Sequence, residues 1–183
     1  MAETAFKRST ALKHTRPTSS KTSAALFNIL SASGRLTGAS FLDLFSGTGA
    51  VAMEALRRGA SRVLAVESDR ALAAGISRRM AEGTEASCVR ADVRRAIPRL
   101  AANSDKCPPF DVIFADPPYL MGWALVLPPM IDANPRILAR GGVFVMERSS
   151  RETPAEISMP REDRTYGDTV LSFYWKPIPE REE

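Results

Sequence analysis

The chain has 183 residues, with 25 Lys and Arg against 21 Asp and Glu, a net charge of +4 and a pI near 9.4. At 44% hydrophobic and 25% charged residues the balance is that of an ordinary globular protein, which excludes wholesale disorder. The length suits one domain, which can bury about 70% of its unfolded surface without a disulfide or metal staple.

Residues 1–22 hold Lys7, Arg8, Lys13, Arg16 and Lys21 against Glu3 alone, so this short arm carries the whole excess of positive charge. Cys88 and Cys107 lie too far apart for a Cys-x-x-Cys pair, the start Met-Ala-Glu has no apolar run behind it, and the longest apolar stretch, 120–127, is far short of a membrane span. The expectation is a soluble, cytoplasmic, monomeric protein in a reducing compartment. It divides into a basic arm over 1–22, one folded domain over 23–176 and a frayed tail over 177–183.

In chain order, Thr18 or Ser19 can cap a helix whose apolar face is Ala24, Ala25, Leu26, Phe27, Ile29 and Leu30 and which ends near Gly34. Short apolar runs predict strands at 40–45, 62–66, 86–90, 110–115 and 142–147, with helices filling the gaps between them. This alternation is the signature of βαβ units and a mostly parallel sheet. After Arg148 the pattern changes: two prolines fall within 153–160, and 169–175 reads as a strand behind a Tyr166-Gly167-Asp168 turn, forming a terminal hairpin.

The first candidate site is the run Asp43-Leu44-Phe45-Ser46-Gly47-Thr48-Gly49-Ala50, which leaves a buried strand through two glycines and enters a helix. Glycines serve where the backbone turns sharply and a ligand must approach it, and the helix behind them offers unpaired N–H groups. Glu67, 20 residues after Gly47, ends the next strand where a carboxylate can accept from both hydroxyls of a ribose. Alone, these residues fit a dinucleotide site or a plain tight turn as well. Asp43 shifts the balance, because dinucleotide folds usually place an apolar residue there, whereas a carboxylate can hold the cationic amine of S-adenosylmethionine. Asp92, just after the third strand, is placed to accept from an adenine amine. Phe45, Thr48, Ser68 and Val93 complete the expected cofactor contacts.

The second candidate site is Asp116-Pro117-Pro118-Tyr119, at the end of the fourth strand. Two prolines remove two donors and fix φ twice, leaving a rigid cluster of acceptors. A carboxylate beside a carbonyl can take both hydrogens of an NH₂ group, and Tyr119 offers a face on which a base can stack. The exocyclic amine of a base is a poor nucleophile because its lone pair is delocalised into the ring. Acceptors on both N–H bonds turn that lone pair toward an electrophile. A sulfonium donor is a good leaving group, so this chemistry calls for neither a metal site nor a strong base.

Arg16-Pro17-Thr18, Leu26-Phe27-Asn28-Ile29-Leu30, Leu42 through Ala50, Glu54-Ala55-Leu56, Val66-Glu67-Ser68-Asp69, Asp116 through Tyr119, Glu147 and Tyr166-Gly167-Asp168-Thr169 follow one another across nearly the whole chain. In these segments the sequence resembles the class I S-adenosylmethionine-dependent methyltransferases with an Asp-Pro-Pro-Tyr motif, and among them the RsmD family of bacterial 16S ribosomal RNA guanine-N2 methyltransferases. The resemblance implies a Rossmann-like α/β fold: a seven-stranded, mostly parallel sheet with an antiparallel last strand and helices on both faces. It also implies cofactor contacts at Asp43, Gly47, Gly49, Glu67 and Asp92, base contacts at Asp116 through Tyr119, and ribosomal RNA or a ribosomal assembly particle as partner. The chain differs from the family where a longer glycine- and arginine-rich arm is usual, and Ser20-Lys21-Thr22-Ser23-Ala24 replaces a charged Asp-Arg-x-Arg-Glu pattern.

The alternatives are a DNA adenine or cytosine amino-methyltransferase, which shares Asp-Pro-Pro-Tyr, a nicotinamide-dependent oxidoreductase, in which Asp43 and Asp116 have no role, and a non-catalytic RNA-binding relative. His14 and the arginines at 57, 58, 62, 90, 94, 95 and 99 read as solvated or helix-capping residues, Cys107 as an inert thiol, and Met121 and Trp123 as core, with a lid over the base as the second reading of both. The arm's Lys7, Arg8, Lys13, Arg16 and Lys21 are expected on RNA phosphates. Removing residues 1–15 is therefore expected to weaken RNA binding and flatten its salt dependence, while calorimetric cofactor affinity holds; equal losses in both would contradict a docking role for the arm.

Overall fold

The structure, a computed structural model, describes residues 20–80 and 85–178. Lys7, Arg8, Lys13, Arg16, His14 and the proposed caps Thr18 and Ser19 lie outside these residues. The elements are α1 (Ser20–Ala32), β1 (Ser40–Leu44), α2 (Ala50–Arg57), β2 (Arg62–Glu67), α3 (Arg70–Arg79), β3 (Ala86–Arg90), α4 (Val93–Ala102), β4 (Phe110–Ala115), α5 (Trp123–Asp132), β5 (Leu138–Ser149), β6 (Arg161–Tyr166) and β7 (Thr169–Trp175). One sheet runs in the order β3-β2-β1-β4-β5-β7-β6. β7 is antiparallel to both of its neighbours, while β1 to β5 pair in parallel. Helical crossovers join the parallel strands, as parallel pairing requires.

Period-two alternation sorts each strand between two cores. Phe41, Val63, Ala65, Val112, Phe114, Val143 and Val145 face α1, α2 and α3, whereas Leu42, Leu44, Leu64, Val66, Ile113, Ala115, Phe144 and Met146 face α4 and α5. Helix α1 buries Leu26, Phe27 and Leu30 on the first face, and Phe27 stacks on Phe41 with centroids 6.3 Å apart. Beyond its last turn Arg35 donates to the Gly141 carbonyl and lies over the Trp175 ring, which fixes this end at the amino edge of the sheet. The first turn of α1 carries exposed Lys21 and buried Thr22. Helix α1 thus begins ahead of position 23, where the charge pattern breaks.

Two strand boundaries, the edge strand and the last helix depart from local sequence rules, each for a physical reason. β1 stops at Leu44, because Phe45 takes a left-handed φ of 61°. β5 starts at Leu138, through a register irregularity between the Phe110 and Val112 pairings and a left-handed Gly141. β6 is an edge strand, Arg-Glu-Asp-Arg-Thr-Tyr, whose exposed charges protect the sheet edge and hide its periodicity. Helix α5 runs through Pro128 and Pro129. Pro128 cannot donate to the Ala124 carbonyl, and the Ala155 N–H takes that acceptor instead at 2.9 Å. Among the described residues no helix is long and apolar enough to cross a membrane.

Gly49 caps α2 with a φ of 76°, and a Cβ there would lie 2.9 Å from Ile76 Cγ1. Gly49→Ala is expected to lose about 2–4 kcal/mol of stability in urea unfolding, combining left-handed strain with an overfilled contact. Gly47→Ala, with nothing nearer than the Phe45 carbonyl oxygen at 3.9 Å, should lose only about 1 kcal/mol.

Candidate active site

Both candidate turns open at the carboxyl edge of the sheet, on its α1–α3 face. Continuing the strand alternation by two residues takes Phe41 to Asp43, Ala65 to Glu67, Phe114 to Asp116 and Val145 to Glu147. The sheet order β2-β1-β4-β5 therefore sets four acids on one face of neighbouring strands, Asp43 two residues short of the level of Glu67, Asp116 and Glu147. Asp43 and Glu147 are each only 2% exposed.

The glycine turn is built on two of these acids. Asp43 Oδ2 accepts from Ser46 Oγ at 2.6 Å and from the Ala52 N–H at 3.2 Å, tying the turn to the first turn of α2. Glu67 Oε2 accepts from the Gly47 N–H at 2.8 Å, and its Oε1 from the Asp69 N–H at 2.7 Å and Ser68 Oγ at 3.3 Å. Gly47 and exposed Thr48 form the outer side of the turn, while Gly49 is buried against α3. Asp92 caps α4 by accepting from the Arg94 N–H at 2.8 Å. The Val93 side chain belongs to the core beneath α4, which leaves only its backbone for a ligand. Phe45 meets Trp123 edge to face, centroids 4.7 Å apart, and the Arg94 guanidinium lies 4.1 Å from the Trp123 centroid.

In the second turn Pro117 is buried, Asp116 and Tyr119 are half-buried and Pro118 is exposed. Tyr119 donates its hydroxyl to Glu147 Oε1 at 2.8 Å and sits 3.4 Å from Thr169 Oγ1, so its ring is held from two strands. Glu147 Oε2 is buried and has no hydrogen-bond partner among the described residues.

Crowding of acids in a desolvated edge sets their protonation. Burial pushes the Asp43 carboxyl up to about 7; the Ser46 and Ala52 hydrogen bonds hold it back, and the charges of Asp116 and Glu67 raise it further. Burial and then the Asp116 charge push Glu147 up to about 7, against the Tyr119 hydrogen bond. Burial likewise drives the Tyr119 phenol well above its ordinary range, which keeps its donor proton in place.

Asp43, Phe45, Gly47, Thr48, Gly49, Glu67, Ser68, Asp92, Asp116, Pro117, Pro118 and Tyr119 thus gather at one edge. Lys21 is an exposed residue of α1 outside this line, and Cys107 lies at the amino edge, its Sγ 3.9 Å from Arg62 Nη1. An amino-edge cleft of about 400 Å³ beside Arg136, Arg140 and Lys176 is far from the acids. Glu147 and Thr169 had no role assigned from the sequence; Trp123 is buried in the core, the first of its two expected places, whereas Met121, expected in the core with a lid over the base as the other reading, is 68% exposed. A carboxylate inside Val143-Phe144-Val145-Met146-Glu147 was the available signal, since buried acids need a reason.

The donor set fits S-adenosylmethionine: a buried acid for an ammonium, an acid at a strand end for a ribose, a third for an adenine amine, and an open glycine turn between them. The strand order with its single reversed strand is that of the class I S-adenosylmethionine-dependent methyltransferases, the fold class that the motifs imply. Within that class, a family described as conserved hypothetical protein 95 matches residues 6–175, and the chain belongs to this family, the RsmD family of the resemblance. YlbH of Bacillus subtilis (strain 168), provisionally named an rRNA methyltransferase, is 31% identical over 169 residues, 88% of each chain. Ribosomal RNA small subunit methyltransferase D of Escherichia coli (strain K12) is 29% identical over 162 residues, 87% of this chain and 78% of that one. An RNA methyltransferase from Salinibacter ruber, solved with S-adenosyl-L-homocysteine, shares the fold with a TM-score of 0.62 at 16% identity, over 87% of this chain and 95% of that one.

Asp43 and Glu147 hold their protons more tightly in the folded chain than in the unfolded one. Their favourable contribution is complete below the ordinary carboxylate range and is lost as pH rises through about 7. Asp43→Asn and Glu147→Gln are therefore expected to gain stability relative to wild type between pH 5 and pH 8, on the order of 1–3 kcal/mol each, in urea unfolding. Curves that stay parallel to wild type across this range would contradict the buried-acid assignment.

Proposed function

We propose that the chain transfers the methyl group of S-adenosylmethionine to the N2 amine of a guanine in 16S ribosomal RNA. It acts as a cytoplasmic monomer on the RNA or on an assembling ribosomal particle. The observation that carries this reading is Asp116-Pro117-Pro118-Tyr119 beside the glycine turn at one sheet edge, with the Tyr119 ring tethered through Glu147. The small-subunit methyltransferase name of the Escherichia coli relative supports the RNA assignment.

In this reading Asp43 holds the cofactor's ammonium, Glu67 the ribose hydroxyls and Asp92 the adenine amine. The Val93 backbone and Ser68 stand beside the base and ribose, and Phe45, Gly47, Thr48 and Gly49 form the wall between them. When bound, the cofactor supplies a methyl group on a positive sulfonium. Asp116 and the Pro117 carbonyl accept from the target amine, remove its lone pair from ring conjugation and aim it at that methyl. Tyr119 stacks on the guanine, which must leave its own stack to arrive there. As the nitrogen gains a fourth bond it sheds a proton, and the Asp116 carboxylate already stands on one of its N–H bonds. Lys7, Arg8, Lys13, Arg16 and Lys21 follow the phosphates.

Asp116→Ala is expected to lower kcat by about 100-fold or more while cofactor affinity, measured by calorimetry, changes by less than about 3-fold. Mass spectrometry of ribosomal RNA from cells with and without the gene should differ by one N2-methylguanine. Radiolabelled methyl found in duplex DNA and in no ribosomal RNA would instead select the DNA-acting alternative.

A further inference from the structure

Directly after the base-holding loop, large apolar side chains stand in solvent: Leu120 is 64% and Met121 68% exposed, and Leu125 and Val126 of the next helix are exposed beside them. Large apolar residues exposed together within seven positions of the chain mark an interaction surface. It is held rigidly. Leu120 adopts a left-handed φ of 58°, an unfavourable conformation for so bulky a residue that its surroundings must impose. Its N–H donates to Glu152 Oε1 at 2.9 Å, and Glu152 Oε2 accepts from the Ser149 N–H at 3.0 Å, bracing the tip on the end of β5. On the other side Trp123 locks the tip to Phe45 of the glycine turn.

We propose that Leu120 and Met121 form an apolar wedge that fills the gap left in the RNA stack when the target guanine turns out onto Tyr119. The inference rests on the function proposed above. Removing a base from its stack exposes the faces of its two neighbours, at a cost of about a few kcal/mol, and inserted Leu or Met side chains are a known physical remedy. Leu120 is one peptide away from Tyr119, about 3.8 Å between Cα atoms, so whatever covers it must share space with the nucleotide on the Tyr119 ring. The flanking exposed cations, Arg94 over Trp123 and Arg151 beside Glu152, match phosphates on either side of an extruded base. An apolar protein partner would leave these charges facing its surface.

The test uses Leu120→Asn combined with Met121→Ser in the full chain. Asn tolerates the left-handed backbone, so the turn is kept while the apolar tip is lost. Two RNAs are compared: a folded 16S fragment around the guanine mapped by mass spectrometry, and a linear oligonucleotide of the same local sequence. With wild-type cofactor affinity and melting temperature retained, single-turnover transfer should fall by about 10-fold or more on the folded fragment and by less than about 3-fold on the linear one. With 2-aminopurine at the target position, the fluorescence rise on unstacking should shrink in the variant. Equal losses on both RNAs, or none on the folded one, overturn the wedge while leaving the proposed function standing. Wild-type dimers that the variant dissociates in sedimentation, with RNA rates unchanged, also overturn it by making the patch a contact between copies. Transfer by wild type to neither RNA overturns the proposed function and the wedge together.

Discussion

A carboxylate buried in the central strand of a parallel sheet is the constraint around which this chain is arranged. Asp43 lies between β2 and β4, flanked by Ala65 and Phe114, and has no water shell to stabilise its charge. The chain answers with Ser46 Oγ and the Ala52 N–H, and those two bonds specify the glycine turn and the entry of α2. Glu67 repeats the device from the next strand by holding the Gly47 N–H. The turn is therefore shaped by acids whose own burial is unfavourable, and the neighbouring charges of Glu67 and Asp116 make it more so. A cationic ligand placed against Asp43 relieves that cost, so affinity and instability have the same source.

Much of this could be seen in the residues. Five apolar runs at βαβ spacing gave the parallel strands in order, and the glycine turn and Asp-Pro-Pro-Tyr marked the edge where they open. The hidden parts are those where a tertiary partner replaces a local rule. Helix α5 survives Pro128 because Ala155, 27 residues later, donates to the stranded Ala124 carbonyl, which no window of local sequence can reveal. β6 carries charges on its first four positions because it borders solvent, so alternation vanishes where the strand exists. The Tyr119 tether needs Glu147 and Thr169 from two strands that become neighbours only through the reversed pairing of β5 with β7. Asp92 shows the opposite limit. Its position after β3 was plain, but its service as helix cap appears only once α4 is seen to start at Val93.

The two turns are also mechanically joined. Among the described residues, the non-glycine residues with left-handed backbones are Phe45, leaving β1, and Leu120, leaving Asp-Pro-Pro-Tyr. Such conformations persist only where surrounding contacts over-determine them, and they concentrate at working sites. Trp123 connects the two: its ring meets Phe45 edge to face, and its backbone opens α5 three residues after Leu120. Through one aromatic pair, the position of the glycine turn and that of the Asp-Pro-Pro-Tyr loop are set against the same buried core. A displaced Phe45 would move Trp123, and with it the apolar tip that follows Tyr119. Methyl transfer to an amine needs the donor carbon and the nitrogen aligned to within a fraction of an ångström. Strain placed at both turns and shared through a single contact is a physical means of holding two loops from different strands to that tolerance.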